Sequence, residues 1–510
     1  MQDSSESRIL DWITDHPVQA GLRILFLVMQ LGLNTLFFFS LFWGPFNIAY
    51  HHSFFLGFFL GLGFMVVWIR QQAAVILEEH KPAKHFRWFG LIVPALVIVI
   101  GGAYFVQAWT LGAFSPVANS YTEAFDGLWN MMDQHYVFFE KKDINWDAVY
   151  KDYQPRISTA ESDQDFLEVV DEVLNLIPDG HTGLISPNLT YPELSVFGYT
   201  GLFQEDILVT RVGLTAELAG IEVGDKLVEI DGKSIPEAVR FWREIIPPSS
   251  TTQHYQKTLH LYLLSAADDS LSVKFEKPDG TVTTADLERV PDALNTQIQE
   301  PVISSQQLSS GVGVIRINNF DLSNGLMMIR AFDSALNKFH DAPGIIIDVR
   351  NNGGGFSVLA DLIAGRFFSD PIVYGEEFYC SRLPQHFWRK SMKYRVIPRG
   401  KIYNGPVALI TNPFTFSSAD TFVAAMTNQD RAVVVGRKTA GATGNPITVQ
   451  LPGGGRARFS TGDFLLPSGI SLEGTGFEPD IPVSWTREDL ILGNDPDLDA
   501  AEDYLLSAAR

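Results

Sequence analysis

Cysteine and positive charge are both scarce in this sequence. Only one of the 510 residues is a cysteine, Cys380, so no disulfide can form within the chain. Cys380 lies in the aromatic stretch EEFYCSRL with no motif around it, and we interpret it as buried and inert rather than as a nucleophile. The formal net charge is -21, which argues against nucleic acid as a partner, because a phosphate backbone requires a basic face. The acidic excess itself indicates a solvated surface.

Long apolar runs are confined to the first fifth of the chain. They cover roughly residues 24–43, 54–69 and 89–109, and each is about long enough to span a bilayer, the second only barely. None shows the polar stripe of a buried soluble helix, and a cleaved signal peptide would account for the first run alone. We therefore predict a cytoplasmic tail over residues 1–20 and three transmembrane helices within residues 21–110.

Lysine and arginine are absent from two of the stretches that flank these runs. Arg70, Lys81, Lys84 and Arg87 all lie between the second and third runs, whereas the loop before them and the stretch after the third run have none. Positively charged loops stay in the cytoplasm. The sequence therefore predicts a multi-pass protein of the inner or cytoplasmic membrane. Everything after about residue 110 would then be periplasmic or extracellular.

The remaining sequence has four regions that differ in their pattern of apolar and polar residues. Residues 115–190 contain three stretches with apolar residues three and four apart, which predicts a helical lead-in that ends in PDGHTGL. Residues 195–295 contain short strands and an Asp-Gly hairpin signal, typical of a small β module. Residues 300–490 alternate the apolar runs GVGVIRI, GIIIDVR, PVALIT and AVVVG with helical stretches, which indicates an α/β layer with a covered sheet. Residues 491–510 predict a C-terminal amphipathic helix.

A serine occupies the turn between a predicted buried strand, which ends at Thr411, and a predicted helix. From this turn the Ser417 hydroxyl would project from a rigid strand end, and the helix N-terminus would offer free N–H groups to an oxyanion. The segment from Ser417 to Asp420 also matches a capping box, in which the serine only caps the helix. The local pattern leaves both interpretations open.

Three other segments could complete a serine-based site, and each also has an ordinary explanation. Gly353–Gly355 follow a buried strand and could be a plain loop or could bring backbone amides close to a ligand. His181, in DGHT, could serve as the base for a serine or be an isolated loop histidine. Glu473, in LEGTGFEPD, could orient an imidazole or be a solvated carboxylate.

Taken in order, these segments resemble the tail-specific or C-terminal processing peptidases, the S41 family of serine peptidases. The resemblance covers about residues 121–485 and includes DGHT, GYTGLF, AGIEVGDKLVEIDGKSI, IIIDVRNNGGG, TFSSAD, VVVGRKTAGATG and EGTGFEPDIPV. It implies a crotonase-like or ClpP-like α/β core after a PDZ-like module that binds a peptide by strand addition. The loop for the peptide's carboxylate would comprise Gly198, Gly201, Leu202 and Phe203.

The family has a Ser–Lys branch and a Ser–His–Glu branch, and the sequence resembles the second, typified by the tricorn core protease. The lysine position of the first branch falls on Ala442. The resemblance therefore implies Ser417 as nucleophile, His181 as base and Glu473 as the carboxylate that orients the base.

By the same resemblance, the oxyanion hole would combine the amide of Ser418 with an amide of Gly353 or Gly354. Lys438, close to the lysine position, keeps a Ser–Lys mechanism as an alternative. A second alternative is a non-proteolytic binding protein, because the same scaffold serves in ligand carriers. We expect peptide or protein substrates and neither a metal nor an organic cofactor.

Overall fold

The computed structural model describes residues 118–186, 199–203, 206–212, 214–237, 270–288, 301–383 and 386–508. The predicted transmembrane segments and Gly198 lie outside these ranges. Within them, no helix is long and apolar enough to cross a membrane.

Three helices form the lead-in, as predicted: α1 Tyr121–His135, α2 Trp146–Ser158 and α3 Asp163–Asn175. Each begins after a Ser or Asn side chain that accepts a hydrogen bond from the backbone amide three residues later, which satisfies one free donor of the first turn. The apolar side of α3 is buried, and the chain then turns through Asp179 and His181 into the short strand β1, Gly183–Ile185.

The second region is a small antiparallel module. Its elements are β2 Tyr199–Phe203, β3 Asp206–Arg211, α4 Leu214–Leu218, β4 Lys226–Ile230, β5 Lys233–Ser234, β6 Ser270–Glu276 and β7 Val282–Glu288. The strand order is β2-β3-β4-β6-β7, with β5 paired to β4. Asp231 and Gly232 connect β4 to β5 with φ angles of 47° and 73°, so the predicted Asp-Gly turn is confirmed. Alternate residues of β3 and β6, together with Leu227 and Ile230 of β4, form a separate apolar core.

The third region contains the longest run of parallel strands. Its elements are β8 Ile303–Gln307, β9 Gly313–Ile317, α5 Gly325–Lys338, β10 Ile345–Asp348, α6 Ser357–Ala364, β11 Ile372–Leu383, β12 His386–Val396, β13 Val407–Thr411, α7 Ser418–Thr427, β14 Val433–Gly436, β15 Pro446–Gln450, β16 Arg456–Ser460, β17 Gly462–Leu465, β18 Ile481–Pro482, α8 Arg487–Leu492 and α9 Pro496–Ala508. One sheet has the order β18-β14-β13-β10-β9-β8, parallel from β18 to β9 and antiparallel at β8.

Both faces of this sheet are covered, which explains why its strands are almost continuously apolar. Successive side chains of a strand point to opposite faces. Ile345 and Ile347 accordingly pack in the core beneath α5, α6 and α7, whereas Ile346 packs on the other face with Ala501 and Leu505 of α9. The predicted covered sheet is confirmed, and the described fold as a whole is α+β with mixed sheets.

Two further pairings complete the frame around the sheet's carboxyl edge. β11 and β12 form a long antiparallel hairpin, and β17 pairs with the other edge of β11. β1, which follows the histidine turn, pairs antiparallel with β16. Because β10, β13 and β14 are parallel neighbours, the loops that leave their carboxyl ends meet at one edge.

Candidate active site

Ser417 lies in the tight turn between β13 and α7 and has a strained backbone. Its φ and ψ angles are 59° and -120°, outside the regions that non-glycine residues ordinarily occupy. Its amide donates to the carbonyl of Ala442 at 3.0 Å, which holds the turn. The Ser417 side chain makes no capping hydrogen bond to α7. The capping-box interpretation is therefore wrong, since the hydroxyl faces away from the helix terminus that it would have capped.

Asp420, the other member of the supposed capping box, has a different task. Its carboxylate is fully buried and accepts hydrogen bonds from the Thr439 hydroxyl at 2.5 Å and from the Gly441 and Ala442 amides at 3.2 Å. Burial raises the pKa of Asp420 to about 7, against the lowering effect of these donors. Asp420 thus fastens the loop after β14, whose Ala442 carbonyl receives the Ser417 amide.

His181 reaches this turn from the lead-in. Asp179 fixes the histidine turn, because its two carboxylate oxygens accept the His181 amide and the Thr182 hydroxyl, each at 2.9 Å. The imidazole is buried, lies against the Phe416 ring at 4.5 Å between centroids, and has Nε2 3.1 Å from the Ser417 hydroxyl oxygen. A nucleophile and its base need this separation, so the isolated-histidine interpretation is wrong.

The loop of Gly353–Gly355, here the glycine loop, lies directly against the turn that carries Ser417, the candidate nucleophile turn. The amide of Phe416 donates to the carbonyl of Asn352 at 3.0 Å, and the Asn352 side chain is buried and accepts the Gly354 amide at 2.9 Å. A Cβ at Gly354 would lie 2.8 Å from the Ser418 nitrogen, so the loop approaches this closely only with glycine there.

The Gly354 amide therefore donates to the Asn352 side chain. Of the two glycine amides predicted for the oxyanion hole, this leaves the Gly353 amide to bind an oxyanion. The Ser418 hydroxyl donates to the Gly355 carbonyl at 2.7 Å and holds the two loops together.

Glu473 is buried, with 1% of its surface exposed, so the solvated interpretation is wrong. One carboxylate oxygen pairs with Lys142 Nζ at 2.9 Å, and the other accepts the Thr443 amide at 3.3 Å. Burial, followed by the nearby charge of Asp179, raises the pKa of Glu473 to about 7, and Lys142 opposes the rise. Through Thr443 the carboxylate lies one residue from the Ala442 carbonyl that binds Ser417. Its role in orienting His181 stays a prediction.

Neither of the lysine positions offers a base to Ser417. Ala442, at the lysine position of the Ser–Lys branch, is fully buried in the loop beside Ser417. Lys438 pairs with Glu478 at 2.7 Å, and both side chains are about half exposed or more. The ammonium of Lys438 is thus engaged at the surface, which counts against the Ser–Lys alternative.

The predicted carboxylate loop is only partly described. Gly201, Leu202 and Phe203 lie in β2, where Gly201 pairs with Leu208 and Leu202 with Ile207 of β3. In the order of the module's sheet β2 is a terminal strand, but peptide binding there stays a prediction.

Several residues that build the site were not identified from the sequence. Four of them connect segments that are far apart in the chain: Lys142, Asn352, Asp420 and Thr443. The fifth, Asp179, fixes the histidine turn locally. Asp179 lies in PDGHTGL and Asn352 lies in IIIDVRNNGGG. A polar residue beside a catalytic candidate was therefore a signal that the sequence offered. Lys142 offered no such signal, since it lies in a polar turn of ordinary composition.

Comparison with known proteins agrees with this geometry. The Peptidase family S41 model matches residues 311–483, and the Tricorn protease C1 domain model matches residues 117–175. A carboxyl-terminal-processing protease of Picosynechococcus sp. is 26% identical over 369 residues, covering 69% of this chain and 80% of that protein. The tricorn protease of Thermoplasma volcanium is 24% identical over 293 residues, covering 56% of this chain and 25% of that protein.

A solved structure of mature CPAF complexed with lactacystin has a TM-score of 0.59 at 16% identity, and the match covers 76% of this chain and 97% of that one. At this identity the likeness concerns the fold alone. The two family matches carry the assignment of activity, because residues 311–483 include the nucleophile turn, the glycine loop and Glu473. The chain is therefore a serine peptidase with an S41 catalytic domain, preceded by a domain of the tricorn C1 type.

Proposed function

We propose that this chain is a membrane-anchored peptidase that uses Ser417 as its nucleophile, His181 as general base and Glu473 as the orienting carboxylate. The observation that carries the proposal is the 3.1 Å separation between His181 Nε2 and the Ser417 hydroxyl oxygen. These atoms belong to segments 236 residues apart, and the Ser417 backbone is strained. Strain and convergence at one point are typical of a catalytic centre.

In the proposed reaction, the Ser417 oxygen attacks the carbonyl carbon of a peptide bond while His181 Nε2 takes the hydroxyl proton. The resulting oxyanion would accept hydrogen bonds from the amides of Ser418 and Gly353. Collapse of the intermediate breaks the C–N bond, and the leaving amine takes the proton from His181. Water, deprotonated by His181, then hydrolyses the acyl-enzyme and regenerates the serine.

Glu473 would stabilise the imidazolium that forms at each proton transfer. That role requires the carboxylate to be ionised, although burial raises its pKa to about 7. The proposed mechanism therefore loses rate below neutral pH, since the Glu473 carboxylate becomes protonated there.

The substrate is proposed to be the carboxyl-terminal region of a protein. Two relatives carry carboxyl-terminal processing in their names, which supports this substrate class. The antiparallel module of residues 199–288 would act as a PDZ-like domain, with β2 receiving the peptide as an added strand. The charge pattern of the N-terminal loops supports a catalytic part outside the cytoplasm.

An active-site serine probe tests the chemistry. The parent protein should be labelled covalently, whereas Ser417→Ala should not be labelled and should not cleave an unstructured peptide. A Ser468→Ala variant, at an exposed serine of the same domain, serves as the matched control and should still be labelled. Labelling of Ser417→Ala equal to that of the parent would refute the nucleophile.

A reporter fused after about residue 115 tests the topology. If the reporter is active only in the cytoplasm, the proposed topology is refuted.

A further inference from the structure

Two adjacent lysines of the lead-in, Lys141 and Lys142, reach into the catalytic domain. They lie in the turn that follows α1, and both ammonium groups are 5.5 Å from the centroid of the buried Phe138 ring. Their contacts differ. Lys141 Nζ donates to the backbone carbonyl of Glu473 at 2.8 Å and to the Ser471 hydroxyl, whereas Lys142 Nζ pairs with the Glu473 carboxylate at 2.9 Å.

Lys142 also donates to the carbonyl of Pro178, three residues before His181. One ammonium group therefore joins the turn that carries the proposed base to the carboxylate that is proposed to orient it. The side chain of Lys142 is 9% exposed and that of Glu473 is 0% exposed, so water screens this pair only weakly. A buried ion pair of this kind leaves an uncompensated charge when one partner is removed.

We infer that Lys142 is a positioning residue for the peptidase reaction: its ammonium keeps the Glu473 carboxylate ionised and fixed next to the histidine turn. This inference rests on the proposed function. It assigns the lead-in an active part in catalysis, because the cation comes from the lead-in and the anion from the S41 domain.

The surroundings of Glu473 make the cation necessary. The charged and titratable groups around this carboxylate come from α1, the lysine turn and the histidine turn; they are Tyr136, Lys141, Lys142 and Asp179. Asp179 favours protonation of Glu473, and Asp179 in turn interacts by charge with Arg458. Lys141 also interacts with Glu473 by charge, but its ammonium donates to the backbone carbonyl, whereas Lys142 is the cation that bonds directly to the Glu473 carboxylate and lowers its proton affinity.

Removal of Lys142 should therefore shift the pH profile as well as reduce activity. Loss of a cation raises the proton affinity of the Glu473 carboxylate, so more alkaline pH is needed to reach the active state. In Lys142→Met the acid limb of kcat/KM should move to higher pH by about one unit or more. Activity about one unit below the parent's midpoint should then fall about tenfold. Lys142→Arg keeps the charge and should restore most of the profile.

The experiment measures pH profiles of kcat/KM with a peptide substrate for the full-length parent, Lys142→Met, Lys142→Arg and Lys151→Met. Lys151 is an exposed lysine of α2, so its variant controls for the loss of one positive charge. If the parent protein shows no peptidase activity that is lost in Ser417→Ala, the proposed function itself is refuted. An active parent with an unshifted limb in Lys142→Met would overturn the inference alone.

A double variant covers the case in which Lys142→Met folds poorly. Glu473→Gln removes the anion and lowers the rate by a factor of its own. If the lysine acts through this carboxylate, adding Lys142→Met to Glu473→Gln should lower the rate by less than a further factor of about three. Independent, multiplicative losses in the double variant would overturn the inference, since they would show that Lys142 acts by another route.

Discussion

Gly354→Ala should separate the geometry of the oxyanion site from the stability of the fold. A Cβ at this position would lie 2.7 Å from the Ser417 Cβ, 2.7 Å from the Phe416 carbonyl oxygen and 2.8 Å from the Ser418 nitrogen. Ordinary van der Waals contact begins at 3.4 Å, so the glycine loop and the nucleophile turn must separate by about 0.7 Å. Two of these contacts are with backbone atoms, which cannot rotate away.

The expected loss of rate follows from this displacement. A misplacement of about 1 Å can cost a factor of roughly 10² in rate, and loss of one oxyanion donor costs about 10²–10³ in kcat. We therefore expect kcat to fall by about 10²–10³. The φ of Gly354 is +86°, so the alanine should also destabilise the fold by about 1–2 kcal/mol.

Gly469→Ala is the matched control, because Gly469 has a φ of +83° and nothing within 4 Å of its Cβ position. It should show a similar loss of stability with kcat within about twofold of the parent. Gly353→Ala keeps its amide and meets nothing within 4 Å, so it should lose less than about tenfold.

The assay combines single-turnover acylation by an activated ester with thermal unfolding of each variant. A folded Gly354→Ala variant with kcat within tenfold of the parent would refute the packing argument. An equally large loss of rate in Gly469→Ala would attribute the effect to backbone strain in general.

Three further outcomes are expected. His181→Ala should lose a factor of about 10²–10⁴ in acylation rate while Lys438→Ala changes little; the opposite pattern would indicate a lysine base. Asp420→Ala should cost about 1–3 kcal/mol on urea unfolding and slow acylation, because it leaves the buried donors of the 439–442 loop unpaired; unchanged stability would contradict this role. Deleting roughly residues 196–288 should reduce protein cleavage more than ester turnover, and equal losses would indicate a structural module.

Much of the local structure could be predicted because it depends on short-range periodicity. Four strands are apolar on both faces: β9, β10, β13 and β14. This pattern can be recognised in GVGVIRI or GIIIDVR without knowing which elements cover the strands. The lead-in helices and the Asp-Gly turn follow from spacing and turn chemistry in the same way. Even the edge at which the site lies follows, since loops after parallel strands share one edge.

The ambiguous residues were those with two equally good local explanations. Ser417 and Asp420 satisfy the sequence pattern of a capping box, yet the Ser417 hydroxyl makes no cap hydrogen bond and lies 3.1 Å from His181 Nε2, and the Asp420 carboxylate accepts the Thr439 hydroxyl. The turn with that backbone angle is held by a hydrogen bond from the Ser417 amide to the Ala442 carbonyl of another loop, which is a tertiary contact. The ordered set of motifs resolved the choice only through its resemblance to a family.

The sequence by itself thus predicted many of the helices and strands and the candidate residues for acyl transfer. Only the tertiary structure decided which of them meet. His181 and Ser417 are 236 residues apart, and Lys142 and Glu473 are 331 residues apart. Neither pair has any periodic or local relation, because each is brought together by a turn that packs across the edge of the sheet. The charge state of Glu473 is likewise a tertiary property, since burial raises its pKa and a lysine from another domain opposes the rise.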